Sequence, residues 1–330
     1  MQLSQLSILV TGGAGFIGSN IVEYLLHNNV KFVRILDNLS TGDIKNIEHL
    51  LNKQSKLEFM LGDITNLETC RKAMVDIDVI CHQAAIGSVP RSIDEPLFSH
   101  DSNVNGFLNI LVAAKENNIK RVVYASSSAV YGDSESLPKV EHIIGNPLSP
   151  YAVNKLADEL YARVFYKCYG METIGLRYFN VFGPKQNPNG CYAAVIPKFI
   201  SSVLHNVAPT INGDGSYSRD FTYVDNVIFA NVLAMTMNTT DESSKDAYGQ
   251  VFNIGNGGRI TILEIYNVIK QTLNSTLEPI FGPQRDGDIP HSNANIDKAT
   301  TILGYEPIVS FNEGIKGTII YYKNRNIKST

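Results

Sequence analysis

Only four cysteines occur in the 330 residues, and Cys70, Cys81, Cys168 and Cys191 form no C-x-x-C pair. The seven histidines form no H-E-x-x-H. The signatures of a disulfide framework and of a zinc site are both missing, and scattered thiols fit a reducing cytoplasm. Basic charge is not in excess: the net charge is -4 with the two signs interspersed, so neither a nucleic-acid surface nor a basic membrane patch is indicated. No apolar run approaches the roughly 18 residues of a bilayer span, and no basic segment precedes the first apolar stretch. The chain thus reads as having neither export signal nor anchor. Asn238-Thr239-Thr240 and Asn274-Ser275-Thr276 then read as polar turns rather than glycosylation acceptors. Repeats, low-complexity tracts and long disordered linkers are also absent. A small-molecule partner is left as the default.

The first half alternates β-branched runs, at 8–10, 32–36, 57–61, 79–82, 122–125 and 173–176, with amphipathic stretches such as 18–27, 104–117 and 151–168. This β-α-β rhythm predicts an α/β fold: a doubly wound, Rossmann-type parallel sheet covered on both faces. After about Phe182 the rhythm breaks into Gly-, Pro- and Asn-rich loops, with shorter helices near 193–204, 227–237 and 262–273. The division expected is a dinucleotide-binding domain over 1–182 and a smaller mixed α/β substrate domain over 183–330. The apolar run 251–254 is a candidate strand that returns to the first sheet.

Glycines at 12, 15 and 18 in Thr11-Gly-Gly-Ala-Gly-Phe-Ile-Gly18 follow the first strand and open a helix. That context suits a pyrophosphate: a tight turn, close backbone approach, and a helix N-terminus that offers N–H groups to the anion. Asp37 closes the second strand, where a carboxylate accepts both ribose hydroxyls and repels a 2'-phosphate. NAD is therefore expected rather than NADP. Asp63-Ile64 and His82-Gln83-Ala84-Ala85 end the next two strands, on the edge where open parallel sheets bind ligands. His82 itself reads as a hydrogen-bonded core residue.

Ser126-Ser127-Ser128-Ala129-Val130-Tyr131-Gly132 precedes Tyr151-x-x-x-Lys155, which follows Ser149-Pro150 at a helix start. A phenol with an ammonium one helical turn away, and a hydroxyl nearby, is a proton-transfer device for oxidising an alcohol. The cation favours the phenolate, which makes Tyr151 a base. Tyr266 and Lys270 have the same spacing but no serine cluster ahead of them, and read as a chance match.

With the glycine loop, Asp37, the serine cluster and Tyr151/Lys155 in this order, the chain resembles the extended short-chain dehydrogenase/reductases that act on nucleotide sugars. More narrowly it resembles bacterial UDP-N-acetylglucosamine 4-epimerases, through Gly87-Ser-Val-Pro-Arg-Ser92, Leu148-Ser-Pro-Tyr-Ala-Val-Asn-Lys155, Gly175-Leu-Arg-Tyr-Phe-Asn-Val-Phe-Gly183, Asn212-Gly-Asp-Gly215 and Arg219-Asp-Phe221. The resemblance implies Ser127, Tyr151 and Lys155 as the catalytic set. It implies a tightly bound NAD against Gly12, Gly15, Phe16, Ile17, Asp37, Asn38, Ser40, Gly42, Asp63, Ile64, Gln83, Ala84, Ala85, Asn103 and Tyr178, as well as Tyr151 and Lys155. A UDP-sugar would meet Gly87, Ser88, Ser127, Ser128, Asn180, Val195, Lys198, Asn212, Arg219, Arg285, Asp288 and Ser292. No metal is implied. A homodimer is, through the helices at 104–117 and 151–168: Phe107, Leu111 and Ala114 are candidates for the interface, although the same spacing would equally pack their helix on its own sheet, and the location expected is the cytoplasm.

All branches of this family begin by oxidising the sugar at carbon 4. In the dehydratases and decarboxylases acidic residues stand two or three places before the Tyr-Gly, where this chain has Ser128 and Ala129. Epimerisation needs no such acid. A small residue four places after the loop aspartate, here Ser292, admits a 2-acetamido group in related epimerases. The expected reaction is interconversion of UDP-GlcNAc and UDP-GalNAc, with UDP-glucose and UDP-galactose as secondary substrates. Two alternatives stand: a UDP-hexuronate 4-epimerase using Arg91 with Ser88 and Ser92, and a non-catalytic NAD-binding regulator.

Overall fold

The computed structural model describes residues 1–51, 55–189, 193–238, 242–284 and 289–327. Its centre is a seven-stranded parallel sheet. The strands are β1 (Ser7–Thr11), β2 (Phe32–Asp37), β3 (Leu57–Leu61), β4 (Val79–His82), β5 (Arg121–Ser127), β6 (Glu172–Tyr178) and β7 (Gln250–Ile254). In space their order is β7-β6-β5-β4-β1-β2-β3, so the chain reverses its winding between β1 and β4, and a crevice opens there beyond the strand ends.

Alternation along each strand sorts side chains onto two faces. Ile8, Val10 and Ile35 meet α1 (Phe16–His27) on one face, in a core that Val123 and Ile174 join. Leu9, Leu36, Ile80, Val122 and Tyr124 meet α2 (Gly106–Glu116) on the other. Every residue of β1 is buried, as a parallel sheet covered on both sides requires. Phe107, Leu111 and Ala114 are all fully buried against the sheet in the second of these cores. They therefore cannot serve a subunit interface. On α3 (Pro150–Tyr169), by contrast, Val153, Leu160 and Val164 face outward, each half exposed, with Leu97 nearby on the short helix Pro96–His100 that packs on α3.

Two strands outrun the sequence expectation most. β5 takes in Ser126 and Ser127, and β6 continues to Tyr178, so that Ser126 pairs with Arg177 and Ser127 with Tyr178. The extension survives its polar composition because the charge it buries is matched. Arg177 donates through Nε and Nη2 to the two carboxylate oxygens of Glu159 on α3, at 2.8 and 2.7 Å, while the Ser126 hydroxyl donates to the same carboxylate.

The second half of the chain returns to this sheet. α4 (Val224–Thr236) buries Val227, Ile228 and Ala234 in the same core as α1, and β7 pairs in parallel with β6. Arg121 of β5 donates to the carbonyls of Met235 and Met237 at the end of α4, where a cation complements the helix dipole. A separate core, with Phe182, Ile196, Phe199, Tyr266, Phe311 and Ile315, joins the helices Val195–Leu204, Ile262–Thr272 and Phe311–Ile327. Among the described residues no helix is long and apolar enough to cross a membrane.

Glu159→Gln leaves the Arg177 guanidinium, on a side chain only 3% exposed, without its counter-charge. The expected cost is about 3–5 kcal/mol, seen as a lower denaturation midpoint at unchanged slope; an unmoved midpoint would contradict the role given to this pair.

Candidate active site

The crevice has a volume of about 1020 Å³ and runs from the glycine loop, past the ends of β4 and β5, to Arg219 and Ser292. Gly12 has φ +68°, and a Cβ there would lie 2.7 Å from the Ala84 backbone nitrogen; one on Gly18 would lie 2.2 Å from the Gly12 carbonyl oxygen. Only glycine permits this loop. α1 starts at Gly15 with no side-chain cap, so its first N–H groups are left for an anion. Asp37 lines the crevice while its two oxygens accept from the backbone N–H groups of Ala14 (2.9 Å) and Leu39 (2.8 Å). Those bonds aim the carboxylate and leave it lone pairs for a ribose. Burial disfavours charge on Asp63, yet hydrogen bonds from Thr65 and Asn38 hold it below its ordinary carboxylate range. Nucleotide diphosphate and diol fit this end.

α3 carries Tyr151 and Lys155. Ser149 caps it by accepting from Ala152 N–H, and Pro150 supplies a preset first turn. The Tyr151 N–H donates to Ser92 Oγ at 3.0 Å, which docks the helix start onto the helix Val89–Asp94. Lys155 is buried, and its ammonium donates at 3.1 Å both to the Ala125 carbonyl and to Asp158 Oδ2. Burial works against its charge, but Asp158, then Tyr151 and Glu159, raise it above the ordinary lysine value. The three serines separate: Ser126 is spent on Glu159, Ser127 accepts from Ala129 N–H as cap of the 3-10 turn Ser128–Tyr131, and Ser127 and Ser128 both line the crevice beside Tyr151.

The far wall is held by a ring of amides. The Tyr178 hydroxyl donates to Gln83 Oε1 (3.1 Å) and accepts from Asn231 Nδ2 (2.8 Å), while Gln83 Nε2 donates to Asn231 Oδ1 (3.1 Å). Asn231 is missing from the sequence expectation. Its signal was an amide set in a largely apolar helix, fully buried here. His82 is a core residue as expected: its Nδ1 bonds Thr11 Oγ1 at 2.8 Å, and burial, then Lys155, push it down to about 3, so it stays neutral.

Gly12, Gly15, Phe16, Ile17, Asp37, Asn38, Ser40, Asp63, Ile64, Gln83, Ala84, Ala85, Gly87, Ser127, Ser128, Tyr151, Lys155, Tyr178, Asn180, Arg219 and Ser292 are all brought to the crevice. Pairing of the strands Ser218–Arg219 and His291–Ser292 sets Ser292 beside Arg219. Other expected residues lie off its wall. Asn103 is buried and pairs with both backbone groups of Ile86. Gly42 sits against Ala14, and Ser88 caps the helix Val89–Asp94. Val195 is half-buried, and Lys198 and Asn212 are exposed, all three outside the lining. Arg285 and Asp288 lie outside the described residues, as does Cys191. The chance pair is spent elsewhere, Tyr266 on the Leu277 carbonyl and Lys270 on Glu278.

Residues 8–255 match the NAD dependent epimerase/dehydratase family. The chain belongs to it. Among curated relatives, a putative UDP-glucose 4-epimerase of Methanocaldococcus jannaschii is 39% identical over 97% of this chain and 99% of its own length. Among solved structures, a UDP-N-acetylglucosamine 4-epimerase from Methanobrevibacter ruminantium, in complex with UDP-N-acetylmuramic acid, superposes with a TM-score of 0.90. It is 38% identical over 98% of this chain and all of that one. A UDP-glucuronic acid 4-epimerase from Bacillus cereus, in complex with UDP-glucuronic acid and NAD, has a TM-score of 0.88 and is 32% identical over 97% of this chain and all of that one.

Asp37→Ala removes the carboxylate that the sequence expectation places against the cofactor ribose. It is expected to weaken NAD about tenfold or more and NADP much less, as read by calorimetry on cofactor-stripped protein; equal loss for both cofactors would contradict the assignment.

Proposed function

We propose that this enzyme is an NAD-dependent 4-epimerase that interconverts UDP-GlcNAc and UDP-GalNAc, and less efficiently UDP-glucose and UDP-galactose. One observation carries the choice of reaction. Among the described residues lining the crevice the only carboxylates are Asp37 and Asp63, at the glycine-loop end, while Ser127, Ser128 and Ala129 stand beside Tyr151. Elimination or decarboxylation requires an acid or base there besides the phenol; inversion at carbon 4 requires none.

The glycine loop and Asp37 would hold NAD, which when bound would supply the hydride acceptor for carbon 4. Tyr151 takes the proton of the 4-hydroxyl and later restores it. Lys155 favours the phenolate and orients the cofactor ribose, and the Ser127 hydroxyl holds the reacting oxygen. Arg219 neutralises the diphosphate. The cycle is redox neutral, so the cofactor has no reason to leave. Ser292, small and next to Arg219, leaves space for the acetamido group. The hexuronate reading has less support, because Arg91 is drawn to Glu95 and lies over the Phe98 ring and is not among the lining residues. The regulatory reading is disfavoured by the intact Tyr151/Lys155 pair.

Purified protein incubated separately with UDP-GlcNAc, UDP-glucose and UDP-glucuronate, followed by proton NMR of the sugar, tests this. Wild type should invert the first fastest. Tyr151→Phe should lose about 100- to 10,000-fold, and Ser292→Tyr should lose the acetamido substrate selectively. No turnover at all would sink the enzyme reading, and turnover of UDP-glucuronate alone would sink the substrate choice.

We also propose that the enzyme is a homodimer whose partner is a second copy. Val153, Leu160 and Val164 repeat at seven and eleven residues, one straight stripe along α3 that suits the self-complementary patch of a two-fold contact. Light scattering should report a dimer for wild type and a monomer for Leu160→Lys; a monomeric wild type rejects it.

A further inference from the structure

The least explained group near the reacting centre is Asp158. Its side chain is 1% exposed, its Oδ2 accepts from Lys155 at 3.1 Å, and its Oδ1 is buried with no hydrogen-bond partner. A buried carboxylate with an orphan oxygen is costly. Neither cofactor nor sugar needs it, since it is not among the residues lining the crevice. What it touches is the ammonium on which Tyr151 depends.

The surrounding charges leave Asp158 as the anion that Lys155 meets directly. Glu159, on the same helix, is claimed by Arg177 of β6 and Ser126 of β5. Tyr124 of β5 and Tyr178 of β6 are kept neutral by burial, as is His82 of β4. The helices Val89–Asp94 and Pro96–His100 turn neutral Ser92 and Ser99 toward α3, which bond Tyr151 N–H and Asn154. Burial pushes the Asp158 carboxyl up to about 7 even with Lys155 beside it.

We propose that Asp158 is a positioning residue that aims Lys155 and limits how much of its positive charge reaches Tyr151. This rests on reading Tyr151 as the base. An ionised Asp158 fixes the ammonium between the Ala125 carbonyl and its own Oδ2, so that the remaining N–H points away from both. The same anion offsets the ammonium's field and makes the phenolate harder to form. Removing it has two opposite consequences: the base becomes easier to ionise, and the lysine becomes less well held.

Asp158→Asn keeps the volume and removes the charge; Asp158→Ala removes both, and serves if the amide disturbs folding. The first readout needs no turnover: phenolate absorbance against pH, with each protein compared with its Tyr151→Phe counterpart so that Tyr151 is isolated from the other tyrosines. In both variants the Tyr151 midpoint should fall by about one pH unit. The acid limb of kcat should move down by the same amount, while NAD is retained less well on gel filtration. A Tyr151 midpoint that stays in place or rises in both variants overturns the proposal. If wild type turns over no UDP-sugar but the phenolate midpoint still falls, the functional reading fails and the role of Asp158 stands.

Discussion

The Glu159–Arg177 ion pair is the constraint on which the rest of the site depends. It spans α3 and β6, and through Ser126 it also grips β5. The serine-bearing strand end and the helix carrying Tyr151 and Lys155 belong to different elements, joined by the 3-10 turn Ser128–Tyr131 and a long loop. Hydrophobic packing presses them together but does not fix their rotation. A bidentate guanidinium–carboxylate contact, directional and shielded from water, does. Arg177 also lies over the Tyr131 ring and donates to the Glu141 carbonyl, and the Tyr131 hydroxyl bonds Asn253 of β7. One charge pair thus places four elements relative to one another.

The architecture was legible in the sequence because it rests on local signals. Buried parallel strands read as short β-branched runs, the glycine loop announces itself by spacing, and Ser149-Pro150 marks where α3 begins. That Tyr151 and Lys155 share one helix was legible for the same reason, since residues four apart lie on one helix face. What sequence could not give was the pairing of distant polar groups. Nothing near Arg177 says that its partner is eighteen residues earlier, and the polar ends of β5 and β6 read as loop until that partner is known. Asn231 and Asp158 were missed likewise: each is an ordinary polar residue until burial makes it consequential.

Phe107, Leu111 and Ala114 show the opposite ambiguity. Their spacing marks an apolar helix face without saying which surface covers it. The sheet does, which leaves the outward stripe to α3. Residues expected at the nucleotide end divide in another way. Arg219 and Ser292 are placed by strand pairing and reach the crevice, whereas Asn103 and Ser88 serve the loops behind it. A side chain that shapes the wall and one that forms it look alike in sequence when both are small and polar.

The wall of the cofactor crevice contains a contribution from late in the chain, for Gln83 and Tyr178 are braced by Asn231, and β6 is flanked by β7. The consequence concerns synthesis. As the polypeptide leaves the ribosome, the glycine loop, Asp37 and the Tyr151/Lys155 helix are all made well before the helix that braces them. The sheet has an unpaired edge along β6 until residues 250–254 arrive, and the amide ring stays open until α4 docks. A nascent chain ending near residue 182 would hold all three proposed catalytic residues and an unfinished cofactor wall. Order in the site is therefore a property of the whole chain, set by its second half after the first has supplied the reactive groups.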